Sequence, residues 1–464
     1  MQHPSVVLDQ HLLAAAVLWQ RRQRAVAAPH FSLRDLVTLD GQLDANLAGV
    51  RLAGQAAWEA CLPQLKWRDS GDVFVAAGLA IESQDADRVM TVLRAIDGTT
   101  SRPIDEVDRR ALRTAVVSAL IACGRDLGKT HLEPAIELLQ SSADPFWRFA
   151  AVAWQVDAWL RCSASSQHNW QAWLGDPDPD VRFLSARAIG LAARGDALEA
   201  VKELQEDTSL SVQAAVQYTL MLRGDDPQTA ARRLQSQLLE IEAILATDFG
   251  TTSTELLDDF WRSLCVALPI AETQTLIRQL SQGSEREQRL AVQLGGELGI
   301  RESLPWMVEL LASPTYGRVA AEAFSRITGL RLDQAPFEAE PPVGHEFGPN
   351  DDPDDEDVAL DADEHLPWAV GSVVADWFMK HAQQFERGVR YLLGYPMDIA
   401  WLSSVLKLGR QRERRAAAVE IAVRRNTPVL DVASHTSWQL AQLDMQRTVS
   451  EEERCDLLAA GAMK

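Results

Sequence analysis

A five-residue phrase recurs in this chain at a spacing that leaves few architectures open. Asp144-Pro145-Phe146-Trp147-Arg148 returns as Asp178-Pro179-Asp180-Val181-Arg182. In both, Asp is suited to cap a helix and Pro to fill its first turn, where a missing N–H costs little. Behind the first phrase stand Trp147, Ala150, Ala151, Trp154 and Ala158, and behind the second Val181, Leu184, Ala188, Leu191 and Ala192. Both sets step by three and four residues, which draws one apolar stripe down a helix. A third copy opens near Ser211 with Val212, Ala215, Val216, Thr219 and Leu220. The ends rhyme as well, since Arg194-Gly195-Asp196 and Arg223-Gly224-Asp225 close the second and third copies. Each predicts a left-handed Gly that stops the helix and an Arg at the negative end of its dipole.

Ala197, Val201 and Leu204 mark a shorter second helix between those copies, so each unit is a helical hairpin. Starts fall about 30 residues apart, in the range of helical solenoids. Such a hairpin cannot bury its apolar face alone, so copies must stack. Further pairs are expected at 73–81 with 89–96 and at 110–123 with 134–140. Three more helices are expected at 288–300, 304–311 and 316–327, the last with Ala320, Ala323, Phe324 and Ile327 on one face. Between 226 and 285 the spacing does not resolve helix pairs. The chain therefore reads as all-α, with a HEAT-like α-solenoid over 61–332. An N-terminal helical cap over 1–60 precedes it. An acidic, flexible linker over 333–366 and a C-terminal helical unit over 367–464 follow.

Composition agrees with that class. Hydrophobic residues make up 47%, enough to bury a large core, and alternating β-branched runs are few. The formal net charge is −21, but 13 Asp and Glu with no Lys or Arg fall within 333–366, and without them the charge is −8. Neither value suits a nucleic-acid binder, which needs cations against phosphates. Five cysteines, Cys61, Cys123, Cys162, Cys265 and Cys455, form no C-x-x-C pair and read as thiols of a reducing compartment. The apolar run 12–19 has Arg21, Arg22 and Arg24 after it and Asp9 before it, the wrong order for an export signal. No stretch approaches the roughly 18 apolar residues of a membrane span. A cytoplasmic protein without membrane insertion is expected.

Chemistry is sparse. The nine histidines show no H-E-x-x-H or other metal spacing, and no nucleophile elbow, Walker loop or dinucleotide fingerprint occurs. No catalytic residue, metal or cofactor is expected. Asp351, Asp352, Asp354, Asp355, Glu356 and Asp357 invite a calcium reading, but the EF-hand spacing and its glycine are missing. A solvated acidic arm fits better, able to dock on a basic partner or on this chain's own arginines. Trp368, Trp377, Arg387, Arg390 and Tyr391 are of the types that dominate protein interfaces, although aromatics are more often core. Arg410, Arg412, Arg414 and Arg415 suggest a solvated helical face, with Arg410 and Arg414 as candidate partner contacts.

Both ends of the chain carry more distinctive runs. Leu18-Trp19, Arg24-Ala25-Val26-Ala27-Ala28-Pro29-His30, Leu36, Leu39-Asp40 and Gly49-Val50-Arg51 lie at the start. Near the other end are Arg387-Gly388-Val389-Arg390-Tyr391-Leu392-Leu393-Gly394-Tyr395-Pro396 and then Gly409 through Ala418. Together they resemble a bacterial HEAT-repeat family found with type VI secretion genes, often near PAAR-type spike and toxin genes. The resemblance implies a cytoplasmic chaperone or adaptor that holds an effector or spike component, with no catalytic residues. A protein partner is thus expected, with the terminal helices closing the array or pairing it into a homodimer. An immunity or regulatory protein that neutralises a toxin would use the same kind of surface. A bilin-lyase-like enzyme and a DNA glycosylase are the remaining readings for helical repeats, the second opposed by the charge.

Overall fold

A computed structural model describes residues 4–97, 106–142, 144–161, 170–193, 195–247, 254–342, 361 and 363–445. Among them are 22 α-helices and one two-stranded hairpin, so the chain is all-α. The first layers are α1 (Pro4–Ala25), α2 (Leu33–Ala53), α3 (Gln55–Cys61), α4 (Ser70–Glu82) and α5 (Ala86–Asp97). They continue with α6 (Glu106–Leu127), α7 (Lys129–Gln140), α8 (Pro145–Arg161) and α9 (Trp170–Leu174). Next come α10 (Pro179–Leu191), α11 (Leu198–Lys202), α12 (Leu210–Arg223), α13 (Pro227–Thr247) and α14 (Thr254–Ala267). The run ends with α15 (Ile270–Leu280), α16 (Glu285–Leu298), α17 (Leu304–Leu310) and α18 (Gly317–Thr328).

Alternate helices lie side by side: α1 on α4, α4 on α6, α6 on α8, α8 on α10 and α10 on α12. After α13 the order resumes with α14 on α16 and α16 on α18. Sequence logic explains the starts. Asp178 accepts the Asp180 N–H at 2.8 Å and Pro179 opens α10, while Ser32 and Ser284 form capping boxes with Asp35 and Glu287. The segment 226–285, unreadable by spacing, holds α13, α14 and α15. Its helices lack the Asp-Pro phrase, so the local signal of a repeat start is missing. The core does not break near residue 60, because Ala15, Trp19 and Leu47 share one apolar cluster with Val73, Leu120 and Trp154.

Two expected helix stops differ. Gly195 and Gly224 do not take left-handed backbone; Ala193 does, at φ 55°, and Gly224 is extended at φ −78°. Arg223 also does more than meet its own helix dipole. Its guanidinium donates to Gly190 O at 2.6 Å and Thr427 O at 2.7 Å, joining α10 to the chain beyond α18.

That later part contains α19 (Gly371–His381), the hairpin β1 (Tyr391–Leu392) and β2 (Tyr395–Pro396), then α20 (Ile399–Leu408), α21 (Gln411–Arg425) and α22 (Thr436–Met445). The hairpin sits on the open C-terminal carbonyls of α16 and α18. The Tyr391 N–H donates to Gly299 O, Leu393 N–H to Arg326 O and Gly394 N–H to Ile327 O. Gly299 is left-handed at φ 72° and an added Cβ would strike the Tyr391 carbonyl.

The acidic stretch 333–366 is not wholly extended and solvated, because its described ends are docked. Phe337 and Leu366 are in the core, and Asp361 and Asp363 pair with Arg318 and Arg289. Paired guanidiniums offset the like-charge repulsion that the sequence suggests. Asp351, Asp352, Asp354, Asp355, Glu356 and Asp357 lie outside the described residues. No described helix is long and apolar enough to cross a membrane.

Gly299→Ala should cost about 2 kcal/mol or more in urea unfolding, since it meets both left-handed backbone and the hairpin. Gly41→Ala, on an open helical site with nothing within 4 Å, should instead gain about 0.5–1 kcal/mol. Equal effects at the two sites would contradict the docking of the hairpin.

Candidate functional site

The C-terminal helices lie against both ends of the layered helices. α21 packs on α12 and α14, and α22 packs on α2. Val429 N–H donates to Leu191 O at 2.8 Å, and Gln411 N–H donates to Phe31 O at 2.8 Å. The tightest junction is ionic. Asp40, almost fully buried, accepts from Arg22 Nε at 2.9 Å through one oxygen and from the Thr436 N–H at 2.8 Å through the other. Arg22 then donates to Ala433 O at 2.6 Å and Ser434 O at 2.7 Å. A loop more than 400 residues downstream is thus held by a buried pair in the first two helices.

This closure places the expected partner residues. Tyr391 is buried, with its hydroxyl accepting the Glu386 N–H at 2.8 Å. Arg390 pairs with Glu420 and donates to Leu298 O at 3.0 Å and Glu297 O at 3.1 Å. Arg414 is fully buried, donating to Leu406 O, Gln411 Oε1 and Gln439 Oε1, and burial pulls it down to about 10. Trp377 is half-buried, stacked on His381 with centroids 4.5 Å apart, and Trp368 lies under the Arg318 guanidinium at 5.1 Å. Arg387 is exposed.

The arginine run is not a solvated face. Arg410 pairs with Asp333 at 3.0 Å, Arg412 with Glu322 at 2.7 Å and Arg415 with Asp259 at 2.9 Å, each partner far away in sequence. Asp333 does answer to an arginine of this run, as an intramolecular acidic contact would. Burial pushes its carboxyl up, but bonds from Arg331 and Arg410 outweigh that and hold it at about 2.

Between the layered helices and α21 is a chamber of about 500 Å³. It is reached from α8, α10, α12 and α14 on one side and from α21 and the 429–433 loop on the other. Its walls mix apolar side chains with Arg187, Tyr218, Asp259, Arg262 and Arg415. Tyr218 stacks on Phe260 at 4.6 Å, and burial pushes its hydroxyl up to about 12, so it stays a neutral donor. Arg187 and Tyr218 share a wall because α10 and α12 approach closely. A Cβ on Gly190 would lie 2.6 Å from Thr219 Oγ1.

Sequence reading did not single out Arg187, Tyr218 or Asp259. One signal existed: Arg187 is a lone charge beside the stripe of Leu184, Ala188 and Leu191. Cys61, Cys123 and Cys265 are buried free thiols, with Cys61 and Cys265 pushed up to about 12 by burial and therefore unreactive. Among the described residues, no group of three or more His, Cys, Asp or Glu could hold a metal. Set beside family models, curated proteins and solved structures, the chain matches none.

Asp40→Ala should cost about 3–5 kcal/mol, because it leaves Arg22 buried without its carboxylate. Denaturant unfolding of the full chain measures this, and a loss below about 1 kcal/mol would place the junction outside the stable core. Asp333 gives a pH test. Its folded carboxyl binds protons less readily than the ordinary 3.8, so its contribution is present above that value and fades as pH falls towards about 2. Asp333→Asn should therefore lower the urea midpoint at pH 7, with the gap to wild type closing below about pH 3.

Proposed function

We propose that this chain is a non-enzymatic protein-binding scaffold, a HEAT-like α-solenoid that serves in the cytoplasm as a chaperone or adaptor for a type VI secretion effector. The side-by-side order of alternate helices supports the solenoid reading, and the runs at both ends of the chain support the secretion reading by resemblance. The face of α12 and α14 that α21 covers is not the partner surface in this proposal. Arg390, Tyr391 and Arg414 accordingly act in closing the chain rather than in contacting a partner.

The observation that carries a binding role is the outer face of the first layer. Terminal repeats ordinarily present a polar face to water. Here Leu13 is 65% exposed and Val17 51%, on the face of α1 that also carries the exposed Val6. These side chains have little to gain from water and much from an apolar partner surface. The adjoining Arg21 and Arg24 are exposed and would set the charge of that partner as acidic.

Affinity purification from cells that encode the chain should recover a secreted toxin or spike component. Leu13→Glu should abolish that recovery while leaving thermal stability within a few degrees, because the side chain is exposed. Recovery of no secretion component, or undiminished recovery with Leu13→Glu, would contradict the proposal. Deleting the gene separates the roles further. Loss of delivery supports a chaperone, whereas new sensitivity to sibling cells would replace it with an immunity protein.

A further inference from the structure

The chamber beneath α21 has no part in the scaffold role, and several of its carboxylates are shared between guanidiniums. Asp259 serves two guanidiniums, Arg415 at 2.9 Å and Arg187 at the long distance of 3.9 Å. The same two-for-one sharing occurs at Glu297, with Arg326 at 2.6 Å and Arg262 at 3.8 Å. It occurs again at Glu420, with Arg390 and Arg424. Asp157 and Asp431 also reach the lining, so its five carboxylates balance its five guanidiniums overall, but three of those carboxylates are shared rather than paired one to one.

Arg187 is held loosely by its shared carboxylate. Its Nε–H is buried and has no hydrogen-bond acceptor among the described residues. Tyr218, one helix away on the same wall, makes no hydrogen bond through its hydroxyl to another group among the described residues. Two neutral-pH donors on adjacent helices thus face a common space, and buried donors of this kind normally have acceptors. Val156, Leu184, Val266 and Val419 are among the apolar residues that line that space. A volume of about 500 Å³ falls inside the roughly 300–1,000 Å³ of small-molecule sites.

We infer that the chamber binds a small amphipathic organic acid. Its carboxylate accepts from the Arg187 guanidinium and the Tyr218 hydroxyl, and its alkyl or aryl body lies on Val156, Leu184, Val266 and Val419. A planar carboxylate matches the guanidinium fork. A singly charged anion fits better than a phosphate dianion, because the free donor capacity at this wall is that of one guanidinium and Asp157, Asp259 and Asp431 stand nearby. A fully polar acid would leave the apolar wall uncovered. This inference stands apart from the scaffold role and survives if the partner proves to be something else.

Titration calorimetry of the full chain with octanoate tests it, with octan-1-ol as the uncharged counterpart. One octanoate should bind per chain, at least tenfold more tightly than octan-1-ol. Arg187→Gln should weaken octanoate at least tenfold, Tyr218→Phe should weaken it less, and Leu184→Trp should block it by filling the space. Circular dichroism and thermal melting establish that each variant folds. If Arg187→Gln does not, Tyr218→Phe and Leu184→Trp carry the test. Absence of saturable octanoate binding to the wild-type chain would overturn the inference. So would equal affinity for octan-1-ol, or undiminished binding when the chamber is filled.

Discussion

The buried contact between Arg22 and Asp40 is the constraint on which the architecture turns. Neither group could be left alone in the interior, because an unpaired buried charge costs several kcal/mol. Their pairing alone would not fix a distant loop. Both have capacity left over, and the Ala433 and Ser434 carbonyls and the Thr436 N–H use it. The first two helices are thereby incomplete without the last one. The helices at one end of the chain are tied to the loop before α22, and α21 is held across α12 and α14.

The same device recurs where the C-terminal part crosses other layers. Arg223 donates to carbonyls at the end of α10 and beyond α21, and Arg390 to those at the end of α16. Helix C-termini present unsatisfied carbonyls and negative dipole ends, so a guanidinium is the natural group to bridge two of them. The hairpin at β1 and β2 meets the same need with backbone N–H groups. The interior becomes a partly open, partly charged chamber, and the outer edge of α1 carries the exposed Leu13 and Val17.

Much of the helical content was legible because an apolar stripe is a local property. The Asp-Pro phrase found α8 and α10, and the face of Ala320, Ala323, Phe324 and Ile327 found α18. What stayed hidden depends on partners remote in sequence. Arg410, Arg412 and Arg415 look solvated when read alone, since Asp333, Glu322 and Asp259 are 77, 90 and 156 residues away. The acidic stretch misleads for the converse reason, as local charge density shows repulsion and not the arginines that relieve it. The chamber was unreadable as a whole. Arg187 alone interrupted an apolar stripe, while Tyr218 and Asp259 belong to helices whose pairing the sequence does not reveal.

Native-state hydrogen exchange tests the closure most directly. The amides of Gln411, Val429 and Thr436 are bonded to Phe31, Leu191 and Asp40, across the junction between the two ends and the middle. If the chain is closed as described, all three exchange only with global unfolding, at the pace of the α2 and α10 amides. Exchange of these three at loop rates, while α2 and α10 remain protected, would mean that the C-terminal helices stand free of the array.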